Sequence, residues 1–324
     1  MEKMTPGTHP NIGILFFGTS RFAVPVLEAL TAGGYRIAGV VTRPDEPSGR
    51  RRVLTPPPVK VLAEQCGIPV FQPEKLDSRD FAGSKILRAD VFIVAAYGKI
   101  IPKAILDIPR YGALNIHPSL LPRWRGPSPI QYAILHGDAE TGVTIMQMDE
   151  EMDHGPIVAF VQHSMLDKEI YLSLHDTLAR MGAELLVRTL PKWIAGGMVP
   201  TPQDESQATY SKILTREDGR IDWKKSAQEI ERMTRALRPW PGTWTVWTRS
   251  GMPLRVRIEE ADAIDALPPK GGVGHIWQDA AHPLLVRTGD GSFVIKKIGV
   301  EGRRILGAED FIHGHPAFIG TVLT

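Results

Sequence analysis

Residues 112–128 read Gly-Ala-Leu-Asn-Ile-His-Pro-Ser-Leu-Leu-Pro-Arg-Trp-Arg-Gly-Pro-Ser, and this stretch decides both the expected fold and the expected site. Its first six residues are small or apolar except for Asn115 and His117, which predicts a short buried strand. Because side chains alternate along a strand, the two polar residues share one face. Pro118 interrupts further pairing, so both side chains lie at a strand end, where open α/β sheets bind ligands.

An amide next to an imidazole can stabilise a developing oxyanion and transfer a proton. The simpler alternative is that Asn115 and His117 only hydrogen-bond to the loop after the strand. Further along, residues 141–158 read as a second buried strand, an acidic turn and a third strand. The turn holds Asp149 and Asp153, either of which offers a carboxylate to the same site.

Apolar strand patterns alternate with helical patterns along the first two thirds of the chain. The unbroken apolar run at 11–17 is typical of a central parallel strand covered on both faces. The whole pattern predicts an α/β fold with a doubly wound, mostly parallel sheet, in which the last strand runs antiparallel or at an edge. The predicted strands cover residues 11–17, 36–41, 69–72, 90–96, 112–117, 141–148 and 157–162, and the predicted helices cover 22–32, 59–66, 75–88, 101–106, 130–136 and 173–195.

The composition changes after residue 198. Residues 199–212 are polar and proline-containing, which predicts a linker between a catalytic domain at 1–198 and a smaller domain at 213–324. The smaller domain begins with a helical pattern and continues with short strand patterns separated by turn signals, as expected of a small β-barrel. The predicted helices cover 227–237 and 307–312, and the predicted strands cover 243–248, 254–259, 284–288 and 292–298.

Composition excludes several classes of protein. The chain has 324 residues, a net charge of +2 and a single cysteine, Cys66, so it has no intrachain disulfide. It lacks the Cys/His spacing of a zinc site, and no G-x-G-x-x-G fingerprint follows the first strand, which argues against a nicotinamide or flavin site. The N-terminal residues have no apolar segment typical of a secretory signal, and no apolar run is long enough to span a membrane. We therefore expect a cytoplasmic protein.

The sequence resembles one enzyme family from about residue 11 onward. The run Asn-Ile-His-Pro-Ser-Leu-Leu-Pro-Arg-Trp-Arg-Gly, with Thr-Gly-Val-Thr-Ile-Met-Gln-Met-Asp following at this spacing, closely resembles the methionyl-tRNA formyltransferases. The Asn-x-His…Asp pattern alone indicates only the wider group of folate-dependent formyltransferases. Pro-Arg-Trp-Arg-Gly, the long basic loop at 43–60 and the C-terminal domain narrow the resemblance.

The resemblance implies a formyltransferase (Rossmann-like) domain followed by an OB-like barrel that binds tRNA. The implied reaction transfers the formyl group of 10-formyltetrahydrofolate, a cosubstrate, to the methionine of initiator Met-tRNA in translation initiation, without a metal. Carried over residue by residue, the catalytic groups are Asn115, His117 and Asp153. Asp153 is preferred to Asp149 because it matches the family's Asp-x-Gly pattern. The sequence departs from many relatives at the neighbouring positions 151 and 154, where Glu and His replace Gly and Thr.

The resemblance also implies two sets of binding residues. The backbone near the end of the 90–96 strand and the turn after the 112–117 strand are expected to form the folate pocket. Arginines of the 43–60 loop and basic residues of the C-terminal domain are expected to contact tRNA. The folate set is Tyr97, Gly98, Ser119, Leu120, Leu121 and Pro122, and the tRNA set is Arg50, Arg51, Arg52, Lys224, Lys225, Lys296, Lys297, Arg303 and Arg304. Without the resemblance, these residues would be ordinary turns and solvated surface charges.

Two alternative functions remain open from the sequence. Another folate-dependent formyltransferase, acting on glycinamide ribonucleotide or an amino sugar, or a formyl-folate hydrolase, would share the same three catalytic residues. The basic loop and the C-terminal barrel argue against a small-molecule acceptor, which needs neither. The second alternative is an RNA-binding module with an inactive formyltransferase-like domain, and the intact constellation argues against it. We expect a monomer with folate and tRNA as partners and no contact with a membrane.

Overall fold

The computed structural model describes residues 12–49, 52–76, 89–268 and 270–324. It divides into two compact units. The first unit comprises Met1–Pro129, Glu140–Ser164 and His175–Ser211, and the second comprises Ile130–Ala139, Met165–Leu174 and Lys212–Thr324. The stretch 199–212, predicted as a linker, therefore belongs to the first unit up to Ser211.

The first unit contains a seven-stranded sheet in the order β5-β2-β1-β6-β7-β8-β9. The first five strands in this order are parallel, β8 pairs antiparallel with β7, and β9 pairs antiparallel with β8, so the predicted mostly parallel sheet is confirmed. β9 lies at the edge of the sheet and is antiparallel to its one neighbour, β8. The strands are β1 (Gly13–Gly18), β2 (Arg36–Val41), β5 (Val70–Phe71), β6 (Val91–Ala95), β7 (Ala113–His117), β8 (Glu140–Gln147) and β9 (Ile157–Ser164).

The apolar runs of the sequence form the centre of this sheet. All six residues of β1 and all five of β6 are buried, as expected of parallel strands covered on both faces. The long amphipathic helix packs Leu178, Leu186 and Leu190 into the interior, where each is fully buried. The helices that precede Lys212 in the chain are α1 (Val24–Ala32), α2 (Pro58–Gln65), α3 (Lys103–Leu106), α4 (Pro129–His136) and α5 (Tyr171–Ile194).

The long basic loop expected at 43–60 includes regular structure. It contains a two-stranded antiparallel hairpin, β3 (Glu46–Ser48) and β4 (Val53–Thr55). The predicted helix at 75–88 falls almost entirely outside the described residues.

The second unit contains an antiparallel sheet in the order β10-β11-β14-β13-β12, with β15 paired to β14. Residues 321–324 connect its two outer strands: Thr324 exchanges backbone hydrogen bonds with Val246 of β10, and Ile276 N of β12 donates to Thr321 O at 2.9 Å. The sheet is therefore joined at both edges, as in a small barrel. The strands are β10 (Thr243–Arg249), β11 (Met252–Ile264), β12 (Ile276–Trp277), β13 (Leu285–Arg287), β14 (Ser292–Val300) and β15 (Leu306–Gly307).

Two helices, α6 (Ala227–Ala236) and α7 (Ala308–Gly314), complete the second unit. α6 begins with a capping box, in which the Ser226 side chain accepts from Glu229 N and the Glu229 carboxylate accepts from Ser226 N. Edge-to-face aromatic pairs fill the interior, with ring centroids 4.9 Å apart for Trp247 and Phe318. Within the described ranges of the chain, no helix is long and apolar enough to cross a lipid bilayer.

Candidate active site

β7 places the amide and the imidazole at the carboxyl edge of the sheet. Its neighbours are β6 on one side and β8 on the other, and His117 lies opposite Thr144 of β8. Asn115 is half-buried and His117 is buried. Because the two residues are two apart in an extended strand, their side chains project from the same face, as the period of two predicts.

The acidic turn between β8 and β9 brings a carboxylate back to β7. Gly155 permits the turn to return closely, because a Cβ atom there would lie 1.8 Å from the carbonyl oxygen of Gln147. Asp153 has a φ of +50°, in the left-handed region that L-residues rarely adopt. Hydrogen bonds from other segments of the first unit hold this backbone conformation in place.

Three groups converge on the Asp153 carboxylate. Asn115 Nδ2 donates to Asp153 Oδ1 at 3.2 Å, and His117 Nδ1 lies 3.5 Å from the same oxygen. The backbone N–H of Gly126 donates to the other oxygen, Oδ2, at 2.8 Å. Amide, imidazole and carboxylate therefore share one site, although Asp153 is distant from the other two in sequence.

A backbone contact selects the tautomer of His117. Its Nε2 lies 2.9 Å from the carbonyl oxygen of Trp124. A carbonyl oxygen only accepts, so Nε2 carries a proton. In the neutral ring, Nδ1 is then the unprotonated nitrogen, on the side of Asn115 and Asp153. Such a nitrogen can accept a proton from a reacting group, and the nearby carboxylate stabilises the resulting imidazolium.

The second carboxylate of the turn, Asp149, has a different role. Its Oδ1 accepts from Glu151 N at 3.0 Å and its Oδ2 lies 2.7 Å from His154 Nδ1. His154 Nε2 lies 3.4 Å from Glu205 Oε1, so the imidazole connects two carboxylates. The structure thus uses Asp149 to build the turn and directs Asp153 toward His117. The hydrogen bond to Asp149 raises the pKa of His154 above its ordinary value.

We expect His154 to make stability depend on pH. A raised folded-state pKa means that protonated His154 stabilises the fold below the unfolded-state pKa, and this contribution disappears as pH rises through the folded-state value. The melting temperature of wild type should exceed that of His154→Gln at about pH 5.5 and match it at about pH 9. The effect should be about 1 kcal/mol or less, since the pair is partly solvated. His313→Gln, which alters an exposed histidine, is the control, and a pH-independent difference for His154→Gln would contradict the assignment.

Comparison with known proteins identifies the family. The Formyl transferase model matches residues 11–190, and the model of the formyl transferase C-terminal domain matches residues 213–316. The methionyl-tRNA formyltransferase of Chloroflexus aurantiacus is 46% identical over 303 residues, which cover 93% of this chain and 96% of that protein. That of Bacillus velezensis is 40% identical over 312 residues, covering 96% and 97%. The chain belongs to the formyltransferase family.

Solved structures of other formyltransferase-fold proteins have the same architecture. An N-formyltransferase from Helicobacter canadensis, in complex with folinic acid and dTDP-3-aminofucose, superposes with a TM-score of 0.63 at 16% identity, covering 88% of this chain and 98% of that chain. HypX from Aquifex aeolicus, in complex with tetrahydrofolic acid, gives 0.60 at 20% identity, covering 92% and 46%. At these identities the likeness supports the fold, which confirms the predicted fold class.

The predicted folate residues of this formyltransferase lie at the carboxyl ends of β6 and β7. The ring of Tyr97 is in the core of the first unit, where it packs edge-to-face on Phe17. Burial raises the pKa of Tyr97 to about 12, so its phenol is not an acid or base near neutral pH. Tyr97 is buried and its carbonyl accepts from Thr19 Oγ1, whereas Gly98 is exposed.

The other predicted folate residues form the turn after β7. Ser119 is buried and its Oγ donates to Arg123 O at 2.6 Å. Thr144 Oγ1 accepts from Leu121 N at 3.1 Å and donates to Ser119 O at 2.7 Å, so β8 holds this turn in place. A separate cavity of about 250 Å³ lies between α3 and the end of β8, and none of the predicted folate residues lines it.

The structure describes one of the three arginines predicted to contact tRNA in the first unit. Arg50 and Arg51 are outside the described residues. Arg52 lies in the turn between β3 and β4, is exposed and has a φ of +50°. The next residues, Val53 and Leu54, are also exposed, so this end of the hairpin presents both a cation and apolar side chains.

The six basic residues predicted in the second unit are all exposed. They are Lys224, Lys225, Lys296, Lys297, Arg303 and Arg304. Two of them already pair with carboxylates of β11: Lys296 with Asp262, and Lys297 with Glu260 at 2.7 Å. The remaining four lie in turns, before α6 and after β14. Because Lys296 and Lys297 are engaged in these ion pairs, they are weaker candidates for tRNA contacts than the other four residues.

Sequence reasoning missed the residues that support the site. Arg125 stands out in the sequence only as part of Pro-Arg-Trp-Arg-Gly, and Gln203 lies in the stretch predicted as a linker. Gln203 Nε2 donates to the backbone of the acidic turn, 2.9 Å from Asp153 O. No local pattern marks Gln203, because its partner is 50 residues away in sequence.

Proposed function

We propose that this formyltransferase transfers the formyl group of 10-formyltetrahydrofolate to the α-amine of methionine on initiator Met-tRNA. The observation that carries the proposal is the identity of 40–46% with proteins named methionyl-tRNA formyltransferase over nearly the whole chain, both domains included. The geometry of Asn115, His117 and Asp153 supports the same chemistry. The products are N-formylmethionyl-tRNA and tetrahydrofolate.

We propose that Asn115 stabilises the oxyanion. When the amine attacks the formyl carbon, a C–N bond forms and negative charge develops on the formyl oxygen. One N–H of the Asn115 amide is bound to Asp153, which leaves the second N–H for that oxygen. A positioned donor of this kind is typically worth roughly 10²–10³ in rate.

We propose that His117 moves the proton. Its Nδ1 accepts a proton from the attacking amine and returns it to the N10 atom as the bond from N10 to the formyl carbon breaks. Asp153 stabilises the imidazolium and fixes its orientation, while Trp124 O holds the opposite nitrogen. A general acid/base of this kind contributes roughly 10²–10⁴ in rate.

We propose that the backbone groups of the predicted folate-binding residues bind the pterin ring. A pterin ring presents amide-like donors and acceptors, which backbone N–H and C=O groups complement. Gly98 at the end of β6 and the turn at 119–122 supply such groups next to His117 in the sheet order. We propose further that the protein acts as a monomer, since a single chain supplies all three catalytic groups. We also propose that it acts in the cytoplasm.

The test of the function is a competition between acceptors. The purified protein is incubated with 10-formyltetrahydrofolate and charged initiator Met-tRNA, with glycinamide ribonucleotide, an amino-sugar nucleotide and water as alternative acceptors. The expected result is formylation of Met-tRNA with a kcat/KM far above that for the other acceptors. Preferential formylation of a small molecule, or release of formate alone, would overturn the proposal.

Replacing Arg50, Arg51 and Arg52 together by alanine is expected to weaken tRNA binding. A plot of the logarithm of the tRNA association constant against the logarithm of the salt concentration has a negative slope. For each phosphate that an arginine no longer neutralises, this slope becomes less negative by about 0.9, so the triple variant should flatten it by up to about 3. Filter binding or fluorescence anisotropy measures the affinity for tRNA between about 50 and about 300 mM salt, where such slopes are steep enough to compare. Removing three cations from the exposed face of α5, at Arg180, Arg188 and Lys192, is the matched control. Equal slopes in wild type and the loop variant would exclude the loop from the interface.

A further inference from the structure

The backbone conformation of Asp153 is supported from outside its own turn. Its φ of +50° is unfavourable for a residue with a side chain. A single side chain from outside the turn bridges this conformation: Gln203 Nε2 donates to Asp153 O at 2.9 Å and to Gly155 O at 2.8 Å. Both hydrogens of the Gln203 amide are therefore used to hold the two carbonyl groups on either side of residue 154.

Arg125 determines which way the Gln203 amide faces. Arg125 Nε and Nη2 lie 3.0 and 2.9 Å from Gln203 Oε1. Since a guanidinium only donates, the amide oxygen must face Arg125 and the NH₂ group must face the acidic turn. The orientation of the donor that holds Asp153 thus depends on a cation placed behind it.

The charge of Arg125 is compensated inside the fold. Its side chain is only 2% exposed, and its Nη1 and Nη2 lie 2.9 and 2.6 Å from the two carboxylate oxygens of Glu205. This bidentate pair satisfies a buried cation that would otherwise be costly. Hydrogen bonding to Arg125 keeps the pKa of Glu205 below its usual value, so the pair is ionised at neutral pH.

The residues next to Arg125 hold the other catalytic groups. Trp124 O accepts from His117 Nε2, and Gly126 N donates to Asp153 Oδ2. These backbone positions are themselves paired with 209–211: Arg125 N donates to Thr209 O at 2.9 Å, and Ser211 N donates to Arg125 O at 2.7 Å. Gly126 permits this close approach, because a Cβ atom there would lie 2.5 Å from Ser211 O.

We propose that Gln203 and Arg125 are positioning residues for the formyl-transfer step, and that Gln203 together with residues 209–211 forms a brace that fixes the positions of Asp153 and His117. The inference rests on the proposed function and deepens it, since it assigns a catalytic purpose to the stretch between the two family domains. Neither residue touches the reacting atoms. Each acts through the backbone of Asp153 or of the 124–126 segment.

Gln203→Glu tests this directly. The substitution keeps the size of the side chain and an acceptor for Arg125, but it replaces the two N–H donors with an oxygen facing two carbonyl groups. We expect kcat to fall roughly 10- to 100-fold, because a catalytic group displaced by about 1 Å can cost that much. The KM values for 10-formyltetrahydrofolate and Met-tRNA should change by less than about threefold, since the binding surfaces are untouched.

Gln207→Glu is the matched control. It makes the same chemical change in the same stretch, where Gln207 is exposed and its amide donates to Asp204 at 2.8 Å, away from the acidic turn. Its kcat should equal that of wild type. Melting temperatures of all variants are measured, and if Gln203→Glu is unfolded at the assay temperature, Glu205→Gln replaces it. That change removes the carboxylate behind Arg125 at a partly exposed position and should lower kcat without raising either KM.

The outcomes separate this inference from the proposed function. If wild type does not formylate Met-tRNA, the function itself fails. If wild type is active and the folded Gln203 or Glu205 variant keeps a kcat within about twofold of it, the brace has no catalytic role. A rise in KM for tRNA at unchanged kcat would also overturn the inference, because the stretch would then act in binding.

Discussion

Replacing His117 by alanine is expected to lower kcat for formyl transfer roughly 10²–10⁴-fold while leaving the Kd for Met-tRNA nearly unchanged. The reason is the geometry of the ring. Nε2 is held by Trp124 O, so Nδ1 is the nitrogen that faces Asp153 and can exchange a proton. Single-turnover formylation at saturating Met-tRNA measures the chemical step, and a binding titration with Met-tRNA in the absence of 10-formyltetrahydrofolate measures the Kd.

A second substitution separates catalysis from stability. His117 is buried, so its removal leaves the carbonyl of Trp124 without this partner and should cost about 1–3 kcal/mol of stability. His117→Gln keeps an N–H in the place of Nε2 but has no basic nitrogen, and it should lose as much kcat with a smaller loss of stability. His313→Ala, at an exposed histidine of α7, should behave like wild type. If either folded His117 variant retained wild-type kcat, the imidazole would not be the proton carrier.

Replacing Asn115 by alanine is expected to lower kcat roughly 10²–10³-fold, again with little effect on tRNA affinity. One N–H of the amide binds Asp153 Oδ1, and we propose that the other donates to the formyl oxygen. The fall in kcat should therefore have two causes, the loss of the oxyanion donor and the weaker constraint on the Asp153 carboxylate. Steady-state kinetics with varied 10-formyltetrahydrofolate distinguish the expected fall in kcat from a rise in KM.

The control for Asn115 is another amide on the same sheet. Gln162 of β9 is exposed, and its Nε2 donates to Glu140 at 2.7 Å, away from β7. Gln162→Ala should leave kcat unchanged. A reduction confined to KM in Asn115→Ala would mean that the amide binds the folate and does not stabilise charge in the transition state.

The shared face of the two proposed catalytic side chains on β7 followed from local periodicity alone. The alternation of side chains along a strand requires Asn115 and His117 to share a face wherever β7 lies in the sheet. The choice of carboxylate was different, because Asp149 and Asp153 occupy the same acidic turn. The conformation of that turn separates them: Asp149 is bound to His154, whereas the positive φ of Asp153 accompanies its contact with β7.

The partners of the basic residues could likewise not be predicted from local sequence. Charge and resemblance marked Lys296 and Lys297 together with Arg303 and Arg304. Pairing of β14 with β11 places carboxylates beside the two lysines, and this register cannot be read from the lysines' own neighbourhood. Likewise, the polar composition of 199–212 resembles a linker, but its hydrogen bonds go to the 124–126 segment.

The sequence by itself determined the longer elements of this protein. Strands, helices and caps depend on residues within a few positions of one another, so the apolar runs of β1 and β6, the amphipathic α5 and the polar pair on β7 are all legible in the chain. Tertiary structure decided which distant groups meet: Gln203 with Asp153 and Arg125, and Asp153 with His117, a pairing that the family resemblance implied but no local pattern did. The physical reason is that such contacts depend on how whole elements pack and where the chain folds back. No short stretch of sequence encodes the distance between two residues that lie 50 or more positions apart in the chain.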